Sequence, residues 1–146
     1  MPLLVADYCY VKDINDETMS TLLVARLYPA RALMATVCEK KGPDDEHAVS
    51  RMAAFIRESG YKKIVYRSDQ EASIRAIFEA AFKKADREGE LFNPELDQMV
   101  PESSAVGESQ SNGRAENAVQ RLEDILRTYK CALETNVASK FSLAIP

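Results

Sequence analysis

Glu108-Ser109-Gln110-Ser111-Asn112-Gly113-Arg114-Ala115-Glu116 joins a polar segment to a long amphipathic stretch and sets one carboxylate near its start. From Ala115, apolar side chains recur at Val119, Leu122, Leu126, Tyr129 and Leu133, in steps of four and three. That is the period of an α-helix with one buried stripe. Ser111 and Asn112 are good N-caps beside Gly113, and Thr135-Asn136 is a looser stop, which predicts a helix over about 113–135. Glu116 lies one residue off the stripe, close enough to the helix start for the macrodipole to favour its ionised form. An ordinary first-turn acid would look the same. Yet position i+4 is Gln120 and the capping-box position after Asn112 is Ala115, so neither an intrahelical ion pair nor a capping box uses the charge.

Upstream, Leu3-Leu4-Val5-Ala6-Asp7-Tyr8-Cys9-Tyr10-Val11 is an apolar run broken by one charge, which predicts a strand buried on both faces. A carboxylate there is either at a frayed, wetted end or held by a partner, and the simplest partner for several converging carboxylates is a metal ion. After a polar turn over Lys12–Glu17, Met19–Tyr28 and Ala32–Cys38 read as two more strands of an antiparallel meander, divided at Pro29. Pro43-Asp44-Asp45-Glu46 opens a helix with acids in its first turn. It buries Ala48, Val49, Met52, Phe55 and Ile56, turns His47 outward and stops at Gly60.

Lys62–Arg67 is a short strand that ends at Ser68-Asp69, before an amphipathic helix carrying Ile74, Ile77, Phe78, Ala81 and Phe82. Asp69 thus stands at a strand's carboxyl end, where open α/β sheets place binding residues, although Ser68 or Asp69 would equally cap the helix. Lys83–Asn93, with Gly89, reads as a solvated connector, Gln98–Pro101 as a short last strand, and Glu102–Gly107 as a loop.

With 146 residues, 46% hydrophobic and 29% charged, the chain suits one globular α/β domain over 1–146 with a proper core. No run has membrane-spanning length, and the apolar Met1–Ala6 lacks a basic flank, so neither a bilayer nor export is expected. Cys9, Cys38 and Cys131 are odd in number and widely spaced, which argues against a disulfide framework or zinc site and for an intracellular setting, nuclear or cytoplasmic. The net charge of −4 is unusual for a nucleic-acid binder. A metal-holding acid cluster accounts for much of it, since such a cluster is neutralised when loaded.

Gln110-Ser111-Asn112-Gly113-Arg114-Ala115-Glu116 resembles the Gln-Ser-x-Gly-x-x-Glu segment of retroviral and retrotransposon integrase catalytic cores, the D,D-35-E polynucleotidyl transferases. Asp7 matches the family's first aspartate, inside the first strand. Ile64-Val65-Tyr66-Arg67-Ser68-Asp69-Gln70 resembles the segment carrying the second, with Gln70-Glu71 where the family often has Asn-Gly or Gln-Gly. Asp69 and Glu116 have 46 residues between them rather than 35, and the extra length falls in the Lys83–Asn93 connector. Glu102 and Glu108 are rivals for the third carboxylate, and a helix-borne Glu116 is the better preorganised.

The resemblance, which covers Leu3–Leu133, implies a ribonuclease H-like fold: a mixed five-stranded sheet flanked by helices. It also implies that Asp7, Asp69 and Glu116 are catalytic and hold Mg²⁺ or Mn²⁺ for two-metal phosphoryl transfer, in 3′-end processing and in strand transfer. DNA is the implied substrate, with Gln110, Asn112, Arg114, Arg127 and Lys130 as contacts, and a homodimer the implied assembly. Where the family often has basic residues four and seven positions after the glutamate, this chain has Gln120 and Glu123. The expectation is an isolated catalytic core or fragment, without the family's zinc-binding and C-terminal DNA-binding domains and truncated after the long helix, short of the family's last core helix. Two alternatives stay open: another metal nuclease of the same fold that cuts without joining, and a non-catalytic relic or interaction module.

Overall fold

Strand β1 (Leu3–Asp13) is the centre of a mixed sheet in the computed structural model, because its side chains are buried on both faces. Leu4, Ala6 and Tyr8 enter one core, and Leu3, Val5 and Cys9 enter cores on the opposite face. The structure describes residues 2–13, 18–67, 72–92, 98–102, 109–137 and 143–144, with side chains at 2–12, 18–67, 72–85 and 113–136.

β2 (Met19–Tyr28) and β3 (Ala32–Cys38) complete the antiparallel meander, with Asp7 opposite Val24 and Val24 opposite Ala35. The turn between them carries a cis Tyr28–Pro29 bond and Arg31 at φ 58°. β4 (Lys63–Arg67) pairs parallel to β1, and β5 (Gln98–Glu102) parallel to β4, so the order is β3-β2-β1-β4-β5. Five strands were expected, and a sixth is present. β6 (Leu143–Ala144) pairs antiparallel with Lys12 and Asp13. Among the described residues β4 matches only Leu3–Val5, and β6 satisfies backbone groups at the far end of β1, beyond that pairing.

Helices α1 (Glu46–Glu58) and α2 (Ala72–Phe92) cover one face of the sheet through Met52, Ile56, Ile77 and Phe78. Helix α1 ends as its residues dictate, since Gly60 takes φ 71° and its N–H bonds back to the Arg57 carbonyl. Helix α2 runs on through most of the expected Lys83–Asn93 connector. The reason is that Ala85, fully within the core, continues the spacing of Ile74, Phe78 and Ala81, and Lys84 donates to the Ser50 hydroxyl at 2.8 Å. Tertiary packing outweighs the roughly 1 kcal/mol that Gly89 costs in a helix.

Helix α3 (Ser109–Val137) covers the other face and starts earlier than expected, with Ser111, Asn112 and Gly113 inside it rather than capping it. Packing of Ala115, Ala118 and Leu122 anchors the helix, and propagation backward through Gly113 costs far less than nucleation. No helix among the described residues is long and apolar enough to cross a membrane.

Asp45 precedes α1 as its N-cap rather than lying in the first turn. Its Oδ1 accepts the Ala48 N–H at 3.0 Å, and its Oδ2 accepts the Glu39 N–H at 2.8 Å. Burial alone would raise its pKa, but the backbone donors of Ala48, Glu39 and Lys40, with His47 nearby, lower it on balance from 3.8. A depressed carboxylate stabilises the fold above its unfolded pKa, and that contribution fades as pH falls through the folded value. Asp45→Ala is therefore expected to cost about 1–2 kcal/mol in urea denaturation at pH 7. The gap from the parent chain should narrow below pH 3.8.

Candidate active site

Asp7 shares its face of β1 with Val5 and Cys9. Val5 packs with Ala115, and Cys9 packs with Ala118 and Leu122, so Asp7 lies beneath α3 between two apolar contacts. The side chain is half-buried, and its Oδ1 accepts the N–H of Tyr8 at 2.8 Å. A carboxylate so placed keeps its charge only with polar partners or counterions.

Asp69 lies outside the described residues, but the strand that leads to it does not. Arg67, the last residue of β4, is the register partner of Val5. Asp69 follows Arg67 in sequence by the same two residues that carry Val5 to Asp7.

Glu116 is solvent-exposed, one residue past Ala115 and about two turns into α3. It is thus beyond the first turn, where the macrodipole acts most strongly, a correction that follows from the early helix start. The two flanks of α3 differ. On one, Arg114 lies over the Tyr28 ring at 5.1 Å, and Asn117 accepts a hydrogen bond from Arg26 Nη1 at 3.0 Å, so this flank overlies β2. At 100° per residue, Glu116 and Glu123 fall together on the other flank, turned away from β2.

The Cys9 thiol reports that second flank. Its pKa is pushed up to about 11, first by burial, then by the negative charges of Glu123 and Asp7. Glu123, which in sequence stands where the family often has a basic residue, is an acid within electrostatic reach of the same thiol as Asp7. The sequence signal was its spacing of two full turns from Glu116.

Of the expected DNA contacts, Arg127 is engaged along its own helix with Asp124 at 3.2 Å and Glu123 at 3.8 Å, and Lys130 with Glu134 at 3.9 Å. Arg114 stacks on Tyr28, while the side chains of Gln110 and Asn112 lie outside the described residues. So do Glu108 and the side chain of Glu102. Among the described residues no three His, Cys, Asp or Glu side chains form a group able to hold a metal ion. Asp7 and Glu116 offer oxygen donors only, the kind that Mg²⁺ and Mn²⁺ take. Arg26 was not among the expected site residues, although it is a charge within the apolar run Leu22–Tyr28 of β2. Its Nε is buried with no hydrogen-bond partner, and its guanidinium lies 5.4 Å from the Tyr28 ring.

In a chain with Cys38 and Cys131 replaced by serine, Cys9 should resist alkylation at neutral pH and react only as pH approaches about 11. Asp7→Asn and Glu123→Gln should each move the half-reaction point downward, because each removes a charge that opposes the thiolate. An unmoved profile in both variants would separate these carboxylates from the thiol.

No family model matches the chain, and no curated protein does. Among solved structures, 92% of the chain superposes on 41% of a chain from the cryo-EM structure of the simian T-cell lymphotropic virus intasome in complex with PP2A regulatory subunit B56 gamma. The TM-score is 0.56 and the sequence identity 14%. At that identity the match concerns the fold, and this chain spans less than half the length of the one it matches.

Proposed function

We propose that the chain is a ribonuclease H-like, integrase-type polynucleotidyl transferase core of retroelement origin, acting on DNA ends. The observation that carries this reading is the position of Asp7: on the central strand, half-buried under α3, with β4 running parallel beside it toward Asp69. The structural likeness to a chain of an intasome assembly supports the fold part of it. The Gln110–Glu116 segment supports the chemical part.

Asp7, Asp69 and Glu116 are the residues that would hold Mg²⁺ or Mn²⁺, which when bound supplies charge stabilisation to the entering and leaving oxygens at phosphorus. Asp7 supplies a ligand fixed by its strand, and Glu116 one fixed by its helix, so ordering cost is low when substrate arrives. The oxygen that attacks is that of water in end processing and of a 3′-hydroxyl in joining. In the family such cores self-associate, and a homodimer belongs to this proposal.

A non-catalytic interaction module is the second reading, favoured by the acidic character of the flank that carries Glu116. Gln120 and Glu123 follow it there, where phosphate contacts call for basic groups. A nuclease of the same fold differs from a transferase in needing no 3′-hydroxyl donor.

Calorimetric titration of Mg²⁺ and Mn²⁺, with and without a DNA end, tests the proposal. Asp7→Asn, Asp69→Asn and Glu116→Gln should each weaken metal binding at least about tenfold and cut strand joining by about a hundredfold or more. Silence in both titrations would leave the interaction module as the reading. Cleavage that proceeds without a 3′-hydroxyl donor and yields no joined product would identify the nuclease.

A further inference from the structure

A cleft of about 590 Å³ opens at the start of β1, within the roughly 300–1,000 Å³ typical of small-ligand sites. Its basic groups are Arg31 and Arg114, and Tyr28 and Tyr61 contribute ring surface. Pro2, Leu3 and Pro29 make it apolar elsewhere. No carboxylate lines it among the described residues, although the chain as a whole is acidic at −4. Among the described residues neither arginine has an acidic partner.

The two arginines are held ready in different ways. Arg114 lies with its guanidinium carbon 5.1 Å from the centre of the Tyr28 ring, and Arg26 approaches the same ring at 5.4 Å. Stacking uses the face of a guanidinium and leaves its in-plane N–H donors for a planar, bidentate acceptor. Arg31 sits at φ 58°, a backbone region in which glycine or asparagine is the ordinary occupant. From that turn Arg31 contributes a second basic side chain to the lining of the cleft.

Phosphate is the group that two arginines lining one cleft with no carboxylate among the described lining residues recognise best. The rings and prolines beside them offer the apolar surface that a base or sugar covers. Leu3, in the cleft, precedes Asp7 by four residues of extended strand, about 13 Å. A strand of DNA with a rise of about 3.4 Å per nucleotide spans that distance in about four nucleotides.

We propose that this cleft seats one nucleotide of the DNA strand, its phosphate on Arg31 and Arg114 and its base or sugar against Tyr61 and the prolines, about four nucleotides from the reacting phosphorus. The strand's identity as DNA and its path from Asp7 rest on the polynucleotidyl transferase reading. The cleft's affinity for a nucleotide does not depend on metal.

Fluorescence anisotropy of a labelled single-stranded DNA hexamer in EDTA tests this with the metal site silent. Arg31→Gln and Arg114→Gln should each raise the Kd about tenfold, the loss of a charge-assisted contact. Arg114→Lys should also raise it, since lysine keeps the charge and loses the stacked fork. Arg121→Gln, outside the cleft, should leave the Kd within about twofold, and thermal midpoints of all variants check that each is folded. Absence of hexamer binding, or an Arg121→Gln effect equal to that of Arg114→Gln, overturns the proposal in favour of diffuse attraction. Displacement of the hexamer by inorganic phosphate as readily as by dAMP overturns it in favour of a bare anion site. Asp7→Asn separates the two readings, because it should abolish joining without weakening hexamer binding in EDTA, where loss of a carboxylate near phosphate can only favour binding. Loss of the catalytic reading would appear in the metal titration alone.

Discussion

One carboxylate in a doubly buried strand constrains everything around it. Val5 and Cys9 flank Asp7 on the same face of β1 and are sealed by α3, while Leu4, Ala6 and Tyr8 commit the opposite face to the core under α1 and α2. Asp7 cannot turn to the other face, because the period of a strand is two and a slip would send every neighbour the wrong way. It cannot be sealed as its neighbours are, because an ionised group without partners is costly to desolvate. Small residues on α3 answer the packing side of this conflict. Ala115 and Ala118 are buried where the helix crosses β1, and the bulkier Leu122 comes only at Cys9. Asp7 therefore stays half-buried with one oxygen on the Tyr8 N–H.

Helix α3 sorts charge as well as packing. The flank over β2 carries Arg114 and meets Arg26 through Asn117, whereas the flank turned away from β2 carries Glu116 and Glu123. A net charge of −4 hides this division. Acids gather on the side of β1 that carries β4, and guanidiniums gather around Tyr28. Field, unlike net charge, is local, and steering of an anionic ligand depends on where the positive groups stand.

The fold was legible wherever one periodicity dominated. The meander, the β4–α2 unit and the buried stripe from Ala115 to Leu122 were written as alternation of two or spacing of three and four, and tertiary structure followed them. Boundaries were less legible, because glycine is a weak breaker against packing. Gly60 stopped α1, where the left-handed turn was also in place, whereas Gly89 and Gly113 sit inside helices whose neighbours are anchored at Ala85 and Ala115. Strand β6 left almost no trace, since two residues carry no period. In the site, Asp7 was legible as an anomaly in an apolar run. The cleft at Arg31 and Arg114 was not, because it joins the chain's second residue, a strand end, a turn and a helix that only the folded topology brings together.

On the proposed reading, in which Asp7 and Glu116 hold a metal ion together, the exposure of Glu116 fits a carboxylate whose partner arrives with substrate. Two acids brought close before a cation is present repel each other, and burying both would add desolvation to repulsion. Under that proposal, one acid at the rim on a rigid helix and the other half-buried on a rigid strand would be screened by water until a cation binds. The helix does the positioning: two turns precede Glu116 in α3, and its backbone is held by Ala115 and Ala118 on the sheet. A site assembled as proposed would spend little entropy on its own residues when ligand binds. Its geometry is set by the same Val5–Ala115 and Cys9–Leu122 contacts that hold the helix to the sheet, so packing and site geometry stand or fall together.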